Sequence, residues 1–377
     1  MRRHLLLSLL ILTPWNTAFA QTAAAPAPWY ERIRFGGDFR SRYEGFYQDD
    51  TQTRNRVRLR LRVRLDTEIN EDAGLHIQIA SGDPGTPVST NQTFTDFFQP
   101  KPISLDRAYV AYNPKAASAL TLGLGKFNAP QTTTQLVFDD DLNFEGGWEQ
   151  VSWKPREGTE VTLIGLQTAL NERSVSEDSY MLGGAGEVNV AVGRHNVLLS
   201  AANYSWGNED QIAVASAGGP LASILTNSVR RGPTGTVIGY ASQFNVVDLI
   251  AEGTLRTSRA AYPLRLLFEF ARNTQATTDR DSGLWFEVAY GAPRATGTWS
   301  AEYVHGWSEQ DVTPSAFVHS DLPGTNVRSH ILETSYVLKT GFSIDTTVHF
   351  TKRLFLERPT DPNAWLTRLH LGAVVRF

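Results

Sequence analysis

The stretch that decides the fold reads Arg54-Asn55-Arg56-Val57-Arg58-Leu59-Arg60-Leu61-Arg62-Val63-Arg64-Leu65. Every even position is arginine, and from Val57 onward every odd position is Val or Leu. A β-strand sends successive side chains to opposite faces, so this alternation gives one cationic face and one aliphatic face. On an α-helix a step of two residues turns the side chain by about 200°, which would scatter the arginines around the axis. The stretch is therefore predicted to be a strand between two unlike surroundings.

Two architectures offer such surroundings. A soluble sandwich places a core on one face and water on the other, whereas a transmembrane barrel places lipid outside and a wet lumen inside. The connections discriminate between them, because short turns near 70–72, 113–115 and 193–195 alternate with long loops at 82–102, 128–143 and 207–239. Long loops at one end and short turns at the other are typical of outer-membrane barrels. The fold class is therefore predicted to be all-β, a transmembrane antiparallel β-barrel.

Sixteen strands are predicted for this barrel. A bacterial single-chain barrel has an even number of strands, so the segment 237–256 is assigned one strand rather than two. The alternative is an eighteen-stranded barrel, with a further hairpin inside the segment 207–239. A barrel of either size encloses an aqueous channel instead of a packed core.

The N-terminus has the pattern of a cleaved secretory signal. A charged start at Arg2 and Arg3 precedes the apolar run 5–12, and the small residues Ala18 and Ala20 form a cleavage site. The expected division is a signal peptide at 1–20, a flexible leader at 21–30 and the transmembrane barrel at 31–377. After the signal no run of about 18 apolar residues remains, which excludes an ordinary transmembrane helix. The expected location is the bacterial outer membrane.

Composition excludes several kinds of site. The chain has 0 Cys, so it can form neither disulfides nor thiolate metal sites. Its formal net charge of -4 argues against nucleic-acid binding, which normally needs a basic domain. No His-Glu-x-x-His or Gly-x-Ser-x-Gly motif occurs, so no catalytic residue, metal or cofactor is expected. A phospholipase built from Ser200, Ser300 and His305 is a disfavoured alternative.

The chain resembles a known family. The similarity is carried by segments such as Leu105-Asp106-Arg107-Ala108-Tyr109-Val110 and by the stretches 54–59, 74–82, 88–93, 137–143 and 320–326. Together they resemble the putative porin family of proteobacterial outer membranes. The resemblance implies a β-barrel pore, and no site residue is transferred from it.

Arginines of the first two strands are the candidate selectivity residues. Side chains on one face of a strand repeat about every 6.8 Å, which is shorter than the Debye length of about 8 Å at physiological salt. Facing a lumen, they would act as one electropositive track that attracts anions. The alternative is a structural role, in which carboxylates such as Asp38 and Glu44 hold them. We call this set the arginine ladder; it comprises Arg34, Arg40, Arg42, Arg54, Arg56, Arg58, Arg60, Arg62 and Arg64.

Two further features have expected roles. Asp139, Asp140 and Asp141 lie in the segment 128–143, which is predicted to fold inward as a constriction loop opposed to the arginines. A solvated acidic loop and a calcium site made of carboxylate oxygens are the alternatives. The terminal Phe377, at the end of an amphipathic strand, resembles a recognition signal for outer-membrane assembly.

The function predicted from these observations is passive diffusion of small hydrophilic, anionic solutes through an outer-membrane channel. One alternative is a substrate-specific channel with a saturable binding site, and another is a plugged barrel that serves as a structural anchor. The expected partners are the solutes, outer-membrane lipid and lipopolysaccharide, the assembly machinery and two further copies in a homotrimer.

Overall fold

A computed structural model describes residues 28–95, 97–356 and 363–377. The predicted signal peptide and most of the predicted leader lie outside these residues. The described chain forms a closed antiparallel barrel of 16 strands, which confirms the predicted fold class and strand number. None of its described helices is long and apolar enough to cross a membrane.

Each of the 16 strands pairs with its neighbours in sequence, and the last strand pairs with the first, from Asp38 opposite Arg376 to Tyr47 opposite Thr367. This pairing closes the ring. In chain order the strands are β1 Arg34–Tyr47, β2 Arg54–Glu68, β3 Ala73–Ser81, β4 Ile103–Tyr112, β5 Leu120–Asn128, β6 Asn143–Arg156, β7 Thr159–Asn171, β8 Ser179–Val192, β9 His195–Gly207, β10 Asn245–Leu255, β11 Leu264–Asn273, β12 Ser282–Tyr290, β13 Trp299–Ser308, β14 Val327–Lys339, β15 Phe342–Arg353 and β16 Leu366–Arg376. A further two-residue strand, Gln92–Thr93, pairs with Leu59 and Arg58.

Connections at the two ends of the barrel differ in length, as predicted. One end, the turn end, has tight links such as 157–158 and 193–194, although the links at 256–263 and 291–298 are longer than expected. The other end, the loop end, has the third loop at 129–142 and the seventh loop at 309–326. The predicted bounds of the third loop, 128–143, were wrong by one residue at each side, because Asn128 and Asn143 pair with each other in β5 and β6.

The segment between β9 and β10 holds a small substructure of its own. It contains the helix α1, Asp210–Gly218, and a hairpin of Val229–Arg231 with Val237–Tyr240. These two short strands pair only with each other among the described residues and do not enter the wall. The segment 237–256 therefore contributes one barrel strand, as predicted, and the eighteen-stranded alternative was wrong.

Because side chains alternate along each strand, apolar residues lie on the outer surface of the wall and charged residues lie on its inner surface. On β1, Phe35 and Phe39 are exposed on the outer face, while Arg42 and Glu44 are buried on the inner face. On β2, Val57 faces outward and the arginines face inward. The arginine ladder therefore belongs to the lumen over the middle of β1 and β2.

Candidate functional site in the lumen

Strands β1 and β2 bring the arginines of the ladder face to face. In the antiparallel register Arg40 is opposite Arg60 and Arg42 is opposite Arg58. Directly opposed residues on one face of a sheet lie within about 5.5 Å, so these like charges repel unless anions lie between them. Glu44, opposite Arg56, and Asp38, opposite Arg62, supply such anions.

Glu44 is the centre of the ion network, with a side chain that is 0% exposed. Its carboxylate accepts hydrogen bonds from Arg56 Nε at 2.5 Å and from Arg368 Nη2 at 3.1 Å. Arg42 also contacts it, and Arg58 Nη1 lies at 3.5 Å. Four guanidinium groups therefore surround one carboxylate.

Asp38 has a similar role nearer the turn end of the barrel. Its two oxygens accept hydrogen bonds from Arg60 Nε at 2.9 Å and Arg62 Nε at 2.8 Å. The arginine ladder was predicted to have either a selectivity role or a structural role in which wall carboxylates hold the arginines. The structural role describes four members of the ladder well: Arg42, Arg56, Arg60 and Arg62.

Two members of the network were not predicted. Arg368, on β16, donates to Asp321 Oδ1 at 2.6 Å, and Arg42 lies 3.2 Å from Asp321 Oδ2. Burial alone would raise the pKa of Asp321, but Arg368 and Arg42 outweigh it and hold that pKa well below its usual range. One feature of the sequence indicated that Arg368 faces the lumen, namely its position on the polar face of the last amphipathic strand.

The third loop folds inside the barrel, but its three aspartates do not form one site. Asp141 Oδ1 lies 3.3 Å from Arg62 Nη1, and Asp140 accepts a hydrogen bond from Gln135 at 2.9 Å. Asp139 instead accepts one from the backbone N–H of Ser320, in the seventh loop, at 2.6 Å. Each carboxylate thus has a different partner, and Asp141 joins the ladder instead of opposing it.

An apolar contact fixes the third loop against the wall. Phe138 is only 2% exposed and packs edge-to-face against Tyr204 of β9 and Phe144 of β6, with ring centroids 4.9 and 5.1 Å apart. Where this loop leaves and re-enters the wall, Gly125 and Gly146 are register partners with φ of +131° and +147°. A Cβ on Gly146 would lie 2.1 Å from the carbonyl oxygen of Gln167, so only glycine fits there.

A wall of carboxylates lies across the lumen from the ladder, because β2 and β10 are eight strands apart in a ring of 16. Arg265 lies 2.6 Å from Glu287, 3.3 Å from Glu302 and 3.6 Å from Glu252. This acidic wall was not predicted, although each member lies at an inward position of its strand. Its members are Asp248, Glu252, Glu269, Glu287, Glu302 and Glu333.

Other residues of the predicted site lie at the two ends. Arg34 pairs with Glu68 at 3.5 Å at the turn end, and Arg64 is exposed near the same end. Arg54, at the loop end, lies over the Phe46 ring at 5.5 Å. Phe377 exchanges backbone hydrogen bonds with Gly37, at 3.1 and 2.9 Å, and thereby extends the seam between β16 and β1.

Together these groups enclose a polar space of about 210 Å³ in the lumen. Arginines from β1 and β2, aspartates of the third loop, and residues of the seventh loop, β14, β15 and β16 line it. Small polar solutes could contact guanidinium groups on one side and carboxylates on the other.

Comparison with known proteins gives a consistent result. Residues 45–218 match the family described as putative porin. No curated protein sequence matches the chain significantly. Solved structures share the fold at low identity: OprB of Pseudomonas putida at high pH has 12% identity and a TM-score of 0.58, over 92% of this chain and 95% of that one. OmpF of Salmonella typhi in complex with daunomycin has 9% identity and a TM-score of 0.55, over 92% and 97%. In-vitro folded OmpT of Vibrio cholerae, in trimer form, has 9% identity and a TM-score of 0.50, over 92% and 99%.

Proposed function

We propose that the chain is a porin-type channel of the bacterial outer membrane and that it passes small hydrophilic solutes by passive diffusion, with a preference for anions. The match of residues 45–218 to the putative porin family and the closed 16-stranded barrel support the channel. They also favour a channel over an enzyme, and the proposed transport includes no covalent step.

The observation that carries the anion preference is an excess of positive charge on the β1–β2 side of the lumen. The ion network holds seven guanidinium groups and only four carboxylates, a surplus of three positive charges. Its cations are Arg40, Arg42, Arg56, Arg58, Arg60, Arg62 and Arg368, and its anions are Asp38, Glu44, Asp141 and Asp321.

Arg40 is the member of this network with the least neutralised charge. Its Nη2 donates to the amide oxygen of Asn91 at 2.6 Å, and it makes no ion pair with any carboxylate of the described chain. Arg40 also lines the polar space. A charge in a narrow lumen attracts counter-ions, so Arg40 should contribute strongly to selectivity.

The acidic wall gives the proposed path a second property. The positive charge on β1 and β2 faces Glu252, Glu287 and Glu302 of the acidic wall, which surround Arg265, and we infer a field that crosses the lumen at right angles to the direction of passage. Such a field orients dipolar solutes and disfavours apolar ones. Solutes that are small, polar and negatively charged fit this arrangement best.

A substrate-specific channel is the second candidate, and one observation favours it. A mainly apolar recess of about 370 Å³ lies between the third loop and α1. Phe138, Leu142, Trp206, Ile212 and Phe317 are among its lining residues. An apolar recess beside polar groups is the usual form of a small-molecule site. In this case transport would saturate, and an aromatic carboxylate would block ion current at low concentration.

The proposed partners follow from the architecture. We propose that the chain assembles as a homotrimer, contacts lipopolysaccharide with its loop end, and is recognised through Phe377 by the outer-membrane assembly machinery. The signal peptide at 1–20, the leader at 21–30 and the start of the barrel near residue 31 remain part of this proposal.

The test is the zero-current potential of the refolded protein in a planar bilayer with a salt gradient. We expect stepwise currents and an anion-favouring potential that shifts toward zero in the variant Arg40→Ser. The matched control is Lys115→Ser, which removes one positive charge at the turn end, where Lys115 pairs with Glu71. A cation-favouring potential, or an identical potential in Arg40→Ser, would refute the anion preference, and a silent folded barrel would refute the channel.

A further inference from the structure

Two buried histidines lie side by side on the last two strands. His349 of β15 is 1% exposed and His370 of β16 is 3% exposed, and their ring centroids are 4.9 Å apart. Both ring nitrogens of His349 and Nε2 of His370 have no hydrogen-bond partner among the described residues. A buried imidazole whose nitrogens make no hydrogen bond costs free energy, and each neutral ring has one nitrogen whose lone pair is available to a ligand.

The carboxylate of Asp321 completes a set of three. One potential ligand atom from each of Asp321, His349 and His370 lies within 4.8 Å of the other two, and His370 Nδ1 is 3.8 Å from Asp321 Oδ2. Two imidazoles and one carboxylate are ligands that Zn²⁺ and related divalent transition metals use in proteins. A metal ion binds such atoms at about 2.0–2.2 Å, so the three side chains must move closer together when the ion binds.

The two arginines that hold Asp321 are compatible with this role. Arg368 donates to Oδ1 at 2.6 Å and Arg42 lies 3.2 Å from Oδ2, so both arginines also orient the carboxylate. An ionised carboxylate has about four lone-pair sites, so it can accept these hydrogen bonds and still coordinate an ion. Hydrogen bonds from surrounding residues commonly fix metal-binding carboxylates in this way.

The surroundings of the set carry charges of both signs. The polar space that borders the three residues is lined by five carboxylates and three guanidinium groups, and Arg368, which contacts Asp321, adds a fourth guanidinium group beside the set. The carboxylates come mainly from the third loop, the seventh loop and β14, and not from the arginine-rich strands. They are Asp139, Asp140, Asp141, Asp321 and Glu333, and the guanidinium groups are Arg40, Arg42 and Arg60.

We propose that Asp321, His349 and His370 bind a divalent transition-metal ion, represented by Zn²⁺, inside the lumen. The ion joins the seventh loop to β15 and β16 at the edge of the polar space. His319, whose ring centroid is 5.7 Å from that of His349, is the nearest candidate for a fourth ligand.

The experiment uses the full refolded chain in detergent, treated with a chelator and then titrated with Zn²⁺ in competition with a chromophoric chelator. We expect one site per chain, with affinity reduced at least tenfold in His349→Ala and in His370→Ala. Co²⁺ bound at the same site should give visible absorption bands that both variants lose. Asp321→Asn should weaken binding of both metals.

The matched control is the double variant His305→Ala/His330→Ala. These histidines also lie close together, with ring centroids 4.8 Å apart, but they share the outer face with the exposed Trp307, and neither forms an ion pair with a carboxylate of the described chain. The control should bind Zn²⁺ as the unmodified chain does. Heat-modifiable migration of each variant confirms that its barrel is folded before the titration.

Two results would overturn the metal site. One is an unmodified chain that takes up no Zn²⁺ from the competitor. The other is a folded His349→Ala/His370→Ala variant that binds Zn²⁺ with unchanged affinity. Because binding is measured at equilibrium in detergent, neither result depends on whether the barrel conducts ions.

Discussion

Replacing Glu44 with Gln tests the ion network most directly. Gln keeps the shape of the side chain but removes the negative charge, while Arg42, Arg56, Arg58 and Arg368 stay around it. Four guanidinium groups would then repel one another without their shared anion. The variant should therefore fold into a barrel of lower stability.

The expected loss follows from the distances. At an effective dielectric constant of about 20, opposite charges about 4 Å apart attract by ~4 kcal/mol. Glu44 makes several contacts within this range, at 2.5, 3.1 and 3.5 Å. The variant no longer buries a carboxylate, which offsets much of the lost attraction, and removing one partner of a buried ion pair typically costs about 3–5 kcal/mol. We expect the free energy of unfolding to fall by about 3–5 kcal/mol in Glu44→Gln.

The assay is reversible urea unfolding from lipid vesicles, followed by tryptophan fluorescence. The matched control is Glu68→Gln, which breaks the pair with Arg34, whose side chains are 55% and 71% exposed. Exposed pairs contribute at most about 1 kcal/mol, so the control should change little. Equal losses in Glu44→Gln and Glu68→Gln would refute the reasoning, because burial of the network would then make no difference.

Two further predictions concern the loops. Phe138→Ala removes a buried aromatic anchor, a change that costs about 3–5 kcal/mol in a packed core, so hydrogen exchange in the third loop should become faster and the open current noisier. Phe98→Ala, at an exposed position of the loop 82–102, should change neither. In the loop 208–244, burial raises the pKa of Glu209, and neighbouring Asp210 raises it further. A carboxyl group whose pKa is higher in the folded state than in the unfolded state stabilises the fold while it is protonated. This stabilisation is fully present below the unfolded-state pKa of about 4.3 and is lost as the pH rises through the folded-state pKa. Protection factors of α1 amides should therefore fall as the pH rises above the unfolded value of about 4.3, and Glu209→Gln should show a smaller fall.

The alternation of side chains was sufficient to predict the wall of the barrel. Alternating Arg and aliphatic residues in β2 determined which face is inward, and parity of the strand number determined that 237–256 supplies one strand to the wall. The first inference depends on the local periodicity of the sequence and the second on the number of strands. Neither requires knowledge of contacts between residues that are distant in sequence.

Contacts between residues that are distant in sequence could not be predicted in the same way. Arg368 and Glu44 are 324 positions apart in sequence and become neighbours only when β16 pairs with β1. The acidic wall was missed because its six members are spread over five strands. The course of the third loop depends on the packing of Phe138 against Tyr204, and this packing places Asp141 beside Arg62.

The seam between β1 and β16 has a consequence for biogenesis. Before the ring closes, Glu44 has only the arginines of β1 and β2 as neighbours, and Asp321 lacks Arg368. Arrival of β16 adds one guanidinium group, that of Arg368, which bridges the two carboxylates. The first and last strands to be synthesised are thus joined by a contact that an open sheet cannot make. Correct closure is therefore stabilised by a contact of its own, in addition to the backbone hydrogen bonds that any pair of edge strands could form.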